Sequence, residues 1–232
     1  MKYVKAMEYY DKGDYYKALN LFDMVMPFYK GTKEAEEIAY RYAYAYYKQG
    51  DYILASYYFG RFAQTYPRSS KAEECAFMRA YCKYLLSPAY NLDQSTSKEA
   101  MKDLQLFINQ YPESDSLNTA NRLIEELHRK FQKKQLEIIR LYKKMEKYKA
   151  VITAGDVLLK DYPDTRYREE VEYLKILSYY EYADKSVKEK QEERYKKAFN
   201  LSEDFLLHYP ESEYVAEVAK INKKIKEKLQ IN

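Results

Sequence analysis

Hydrophobic and aromatic positions recur with a helical period along most of this chain. In YRYAYAYYKQGDY, residues 40–52, a rotation of about 100° per residue places Tyr40, Tyr44 and Tyr47 on one stripe. Ala39, Ala43, Tyr42 and Tyr46 fall on the side turned toward other helices. Long stretches rich in Ala, Glu, Lys, Leu and Tyr run between only five Gly and six Pro, a composition that forms helices rather than a sheet or a disordered tail. The chain therefore reads as all-α. Its longest uncharged runs fall well short of the roughly 20 residues of a bilayer-spanning helix, and the opening MKYVKAMEYY has no apolar signal core.

A repeat organises the pattern. Four segments end alike, RFAQTYPRSS (61–70), LFINQYPESD (106–115), VLLKDYPDTR (157–166) and DFLLHYPESE (204–213), and VMPFYKGT (25–32) is a degenerate earlier ending, so that five units result. AMEYYDKGDYYKALNLF (6–22) superposes on AYAYYKQGDYILASYYF (43–59) at a constant offset of 37. Ala6 and Ala43 let the first helix of each unit approach the second, and Gly13 and Gly50 can adopt the left-handed conformation that ends it. Ala18 and Ala55 sit where the two helices cross, with Phe22 and Phe59 filling the core between units. The set Ala43, Tyr46, Ala55, Phe59 and Pro67 resembles the tetratricopeptide pattern of small residue, Tyr, Ala, Phe and closing Pro.

The expected fold is a tetratricopeptide-repeat solenoid of about five helical hairpins with a C-terminal capping helix. Residues 1–112 carry repeats one to three and 113–232 repeats four and five. Later second helices align at Ala100, Val151 and Ala198, and LSPAYNLDQSTSK (86–98) interrupts unit three. The near absence of Gly and Pro between Asn118 and Ala150 predicts a first helix of about eight turns in unit four. The Lys-rich segment at about 212–229 forms the cap.

Carried through the repeat, the tyrosine stripe extends to Tyr3, Met7 and Tyr10 in unit one and to Phe77, Tyr81 and Tyr84 in unit three. First helices of tetratricopeptide arrays line the concave surface, so these residues should line one trough, fringed by Arg41 and Lys48. Tyr can simply fill a narrow inner curve with its hydroxyl in water. The set as a whole fits a peptide groove better, because Tyr supplies large, rigid contact area with few rotors to immobilise. Tyr42 and Tyr46 are expected to be structural.

Other chemistry is sparse. Cys75 and Cys82 lie seven apart on one predicted helix, about 10 Å and beyond the ~7 Å reach of a disulfide, so they are expected to be small packing residues. His128 and His208 belong to different units and neither sits in a motif with an acid or nucleophile. The adjacent pairs Glu36-Glu37 and Glu192-Glu193 point in different directions on a helix. No metal site, cofactor or catalytic function is expected. A net charge of +4 is modest for a phosphate-tracking surface, so no nucleic-acid partner is expected. Residues 122–149 carry 10 basic and 4 acidic side chains, concentrating the positive excess on the long helix and suiting it to a solvated face or an acidic partner surface.

Five units, a broken loop in the third, a long first helix in the fourth and the endings FINQYPES and LLKDYPDT make the whole chain similar to the BamD family, tetratricopeptide lipoproteins of the β-barrel assembly machine of Gram-negative outer membranes. Tyr-Pro endings also occur in the tetratricopeptide protein of the Tol-Pal system. The resemblance implies a non-enzymatic adaptor whose C-terminal half docks on a POTRA domain of a BamA-like partner and whose N-terminal half meets unfolded outer-membrane β-barrel proteins. In YPDTRYR (162–168), Tyr162, Asp164, Arg166 and Arg168 are the docking candidates, since the planar guanidinium fork suits carboxylates. The C-terminal aromatic signal of barrel proteins would suit the trough. Family members carry an acylated cysteine at the mature N-terminus. The signal peptide and that cysteine are therefore expected to lie outside this sequence, with Met1 an added start, and the native precursor to touch the membrane only through its lipid, on the periplasmic face. The alternative of another class is a general peptide-binding co-chaperone or envelope scaffold on the same repeats.

Overall fold

The computed structural model of the protein describes residues 2–231, so Met1 lies outside the described residues. These residues form α1 (Lys2–Asp11), α2 (Tyr15–Val25), a 3-10 turn (Met26–Tyr29), α3 (Lys33–Lys48), α4 (Tyr52–Thr65), α5 (Ala72–Leu85) and α6 (Ser95–Gln110). They continue with α7 (Leu117–Lys144), α8 (Tyr148–Asp161), α9 (Arg168–Asp184), α10 (Lys188–His208) and α11 (Val215–Leu229), with no strand among the described residues.

Two local devices, repeated, build this array. The first turns one helix back on the next within a hairpin. Gly13 and Gly50 adopt φ of 79° and 80°, and the following Asp14 and Asp51 accept the backbone N–H of Lys17 and Leu54 at 3.3 and 3.0 Å, capping α2 and α4. The turn from α7 to α8 has the same backbone with other residues. Glu146 takes the left-handed place at φ 56°, and Lys147 stands in the cap position without a side-chain cap.

The second device joins hairpins. A residue before proline is pushed out of the α region, and Tyr66, Tyr111, Tyr162 and Tyr209 all leave their helices with φ between −121° and −133° and ψ between 57° and 76°. Each tyrosine carbonyl then accepts the N–H of a Ser or Thr three residues on, at 3.0 to 3.2 Å. The hydroxyls of Ser69, Ser114, Thr165 and Ser212 accept the N–H two residues further, at 3.1 to 3.4 Å. Phe62–Tyr66, Phe107–Tyr111 and Phe205–Tyr209 ring pairs, 5.1 to 5.5 Å apart, cover three of these ends. Leu158 takes the phenylalanine position in the fourth.

The chain forms two compact units, Met1–Arg129 and Lys130–Asn232. In the first, α1 packs on α2, α3 on α4 and α5 on α6, with α2 against α3 and α4 against α5. Ala6, Ala18, Ala43 and Ala55 are fully buried at the crossings, alongside Phe22, Phe59, Cys75 and Cys82. Burial pushes both thiols up to about 12, as befits packing residues. In the second unit, Leu136 and Ile139 of α7 share a core with Val151 and Leu158 of α8 and Val171 and Leu174 of α9. Further along, α9, α10 and α11 close around Phe205, Val218 and Ile225. The fold is the expected all-α, tetratricopeptide-like stack, and the 28 residues of α7 give the eight turns anticipated.

Glu146→Gly combined with Lys147→Asp should stabilise the protein. The first change removes a left-handed L-residue that costs about 1–2 kcal/mol, less the chain entropy of glycine, and the second adds a cap of about 1 kcal/mol. A gain of about 1–2 kcal/mol in urea unfolding, with unchanged circular dichroism, is the expected result.

Candidate functional site

The trough candidates occupy one aspect of successive first helices: Tyr3, Met7 and Tyr10 on α1, Tyr40, Arg41, Tyr44, Tyr47 and Lys48 on α3, and Phe77, Tyr81 and Tyr84 on α5. All are half-buried except Lys48, which is exposed. They separate into two packing groups. Tyr40, Tyr44, Tyr47, Phe77 and Tyr81 lie against the core of Ala43, Phe59, Phe62 and Met78, whereas Tyr3, Met7 and Tyr10 lie against Phe22, Ile38 and Tyr42. Arg41 bridges them, its guanidinium 5.0 Å from the Tyr10 ring, bonded to Glu37 at 2.6 Å and to Asp11 at the end of α1.

The phenols divide by what they donate to. Tyr40 gives its hydroxyl to Glu74 of α5 at 2.9 Å, Tyr44 gives its own to the other oxygen of the same carboxylate, and Tyr84 bonds Glu126 of α7. These three tie one hairpin to the next. Burial first, and then the Glu74 carboxylate, push the Tyr40 and Tyr44 phenols well above the usual range. Burial and Glu126 push Tyr84 up to about 12. All three therefore stay protonated donors at neutral pH. Tyr47 and Tyr81, by contrast, donate to no group among the described residues. Tyr81 stacks at 12° between planes on Tyr84 and at 11° on Phe77, and Tyr47 packs near Tyr44 and Tyr52 at 6.1 and 5.7 Å. A peptide in the trough would find these two hydroxyls unengaged.

Tyr44 also covers core, its ring lying edge-on at 4.9 Å over the fully buried Phe59. Tyr46 is structural as expected but sits at the margin of the core, half-buried, its hydroxyl 3.2 Å from that of Tyr42 and its ring stacked on Tyr58 at 5.3 Å. Tyr42 is the core ring, 4% exposed, with its hydroxyl on Asp23 at 2.6 Å. The Glu at the eighth position after each of three Tyr-Pro tyrosines, Glu74, Glu170 and Glu217, was not singled out in the sequence. Glu170 receives Arg140 of α7 through two bonds of 2.6 and 2.7 Å, and Glu217 lies beside Tyr173 of α9. Its fixed distance from the Tyr-Pro pair was the available signal.

The docking candidates sit on the linkage from α8 to α9. Tyr162 is the cap of α8, and Asp164 and Arg166 are exposed. Arg168, expected to be open, is occupied instead: it donates to Glu172 at 3.1 Å and to the Pro163 carbonyl at 2.5 Å. Arg166 bonds the neighbouring Tyr167 hydroxyl at 2.7 Å with its guanidinium over that ring. Among the described residues no group of His, Cys, Asp and Glu is arranged to hold a metal ion.

Tyr42→Ala should cost about 3–5 kcal/mol in urea unfolding and Tyr46→Ala about 1–2. At Glu37, burial opposes ionisation but hydrogen bonds from Arg41 and Lys71 outweigh it, so the carboxyl is held below its ordinary range. Stability gained from such a group is present above the unfolded value of about 4.3 and lost as pH falls through the lower folded value. Glu37→Gln should therefore lower stability at about pH 7 and change it little at about pH 3, as urea melts at the two pH values will record.

Compared with known proteins, residues 1–193 match the family YfiO, outer membrane lipoprotein. No curated protein matches the chain. No helix among the described residues is long and apolar enough to cross a membrane. Since the match runs from the first hairpin into α10, over most of the sequence, the chain belongs to the YfiO family of outer membrane lipoproteins.

Proposed function

We propose that the protein is a non-enzymatic adaptor of the machine that assembles β-barrel proteins in the outer membrane, on its periplasmic face and held there by an N-terminal lipid. The observation that carries this reading is the family match over residues 1–193. In it, the trough of α1, α3 and α5 takes an extended or hairpin segment of an unfolded barrel protein. Half-buried rings offer contact area with little side-chain entropy left to lose, and the hydroxyls of Tyr47 and Tyr81 bond the backbone or terminal carboxylate of the segment. The second unit docks on a POTRA domain of a BamA-like partner, with Arg166 and Asp164 exposed beside the α8 cap. Tyr162 and Arg168 shape that turn rather than reaching out.

A general peptide-binding scaffold of the envelope is the second reading, favoured by the phenol hydroxyls, which bond any backbone carbonyl. The two separate on whether binding requires the aromatic residue and carboxylate that end a barrel protein.

Tyr47→Ala with Tyr81→Ala should weaken binding of a labelled C-terminal peptide of a barrel protein by about 1–3 kcal/mol while changing the melting temperature little. Amidating the peptide's terminus should weaken it further on the first reading and leave it unchanged on the second. Undiminished binding in the folded double variant would place the client elsewhere. Arg166→Glu should reduce co-purification with the periplasmic domains of the cognate BamA-like protein and leave peptide binding intact, as a rim charge reversal does.

A further inference from the structure

The first linkage departs from the four that carry Tyr-Pro. At the offset of 37, Tyr29-Lys30-Gly31-Thr32 aligns with Tyr66-Pro67-Arg68-Ser69. The turn itself is kept, since the Thr32 N–H reaches the Tyr29 carbonyl at 3.0 Å as the Ser69 N–H reaches that of Tyr66. What changes is its approach. α2 runs into the 3-10 turn at Met26–Tyr29, and Lys30 stands where the other linkages place proline. Between this turn and α4 lies a cleft of about 400 Å³.

The cleft opens away from the stripe of Tyr40, Tyr44 and Tyr47 on α3, because Ala35 and Tyr42, which face it, lie roughly half a rotation from that stripe and Ala39 about 100° from it. Its floor is Ala35 and Ala39, and Met26, Tyr58 and Phe62 form apolar walls. Three charges stand around it. Asp23 is engaged by the Tyr42 hydroxyl at 2.6 Å. Lys30 and Arg61 pair with no carboxylate among the described residues, Arg61 touching only the Tyr57 ring at 5.8 Å. Phe28, next in the chain to the lining residue Pro27, is 84% exposed. An apolar slot with two uncommitted cations at its edge and a bulky apolar side chain in the open next to its lining is an arrangement that solvent alone does not favour.

The geometry points to a docking site for a short extended segment of a partner protein in which a bulky apolar side chain is flanked by carboxylates. The volume suits one or two side chains rather than a folded surface, the walls offer rings and methyl groups to an apolar anchor, and the cations complement acidic neighbours. The lining includes neither Tyr47 nor Tyr81, so one segment can be held here while those two rings of the trough remain free.

The test titrates the acetylated, amidated peptide Ser-Asp-Phe-Asp-Leu-Ser into the full chain by calorimetry, beside a counterpart with Lys in place of both Asp. Saturable binding of the acidic peptide is expected, weakened about tenfold by Lys30→Glu with Arg61→Glu and lost in Thr65→Trp, which fills the cleft from an exposed position. Binding should persist in Tyr47→Ala with Tyr81→Ala, which also separates this site from the proposed client trough. Absent binding, equal binding of the lysine peptide, indifference to the charge reversal, or loss in the trough variant would each overturn the proposal. So would light scattering that showed a dimer dissolved by the charge reversal, since the occupant would then be a second copy of the chain.

Discussion

Proline's exclusion of the preceding residue from the helical region is the constraint on which the array depends. It fixes the residue at which the second helices α4, α6, α8 and α10 stop, and the tyrosine so expelled is capped by its own helix and accepts the turn that follows. Because the turn is closed within the motif by a Ser or Thr, the next first helix begins at a set distance. In three of the four cases the Glu at the third position of that helix is thereby delivered to the preceding first helix: Glu74 to Tyr40 and Tyr44, Glu170 to Arg140, and Glu217 to the side of Tyr173. A steric effect at one residue thus becomes a regular ladder of ties between hairpins.

That ladder limits what the tyrosine face can do. A buried or half-buried phenol needs a partner for its hydroxyl, and Tyr40, Tyr44 and Tyr84 have theirs inside the protein. Exchanging those bonds for bonds to a peptide would gain little and loosen the stack. Tyr47 and Tyr81 carry no such commitment. They lie half-buried on the same core, held in place by neighbouring rings, so their hydroxyls are oriented before any ligand arrives. In the proposed trough, recognition therefore falls to rings that the ladder leaves over.

Much of this was legible in the sequence because its causes are local. The offset of 37, the glycines before Asp14 and Asp51, the buried alanines and the Tyr-Pro stops all act within a few residues of where they are written. The α7–α8 turn is not legible in the sequence because Glu146 and Lys147 adopt a backbone that Gly and Asp adopt elsewhere, and the packing of Val151 and Leu158 on α7 holds them there. Asp103 is 8% exposed and carries Arg79 at 3.0 and 3.1 Å and Lys83 at 2.9 Å. Tyr44 of α3 covers Phe59 of α4. Such pairings depend on how successive helices cross, which helical periodicity along one chain segment does not specify.

Charge shows the same limit most clearly. Counted along the chain, residues 122–149 hold a +6 excess. In the folded second unit, Arg140 is held by Glu137 and Glu170, and Lys143 meets Glu181 at 2.5 Å, so two of those cations are matched by acids on α9 that the count assigned to another segment. In the first unit Arg129 pairs with Glu125 one turn away. A repeat protein places each helix against the next, and part of its charge is balanced across that contact in addition to pairs one turn apart on the same helix. In the proposed docking site the cations are Lys30, at the linkage that lacks proline, and Arg61 on α4, and neither belongs to the segment where basic residues are most numerous.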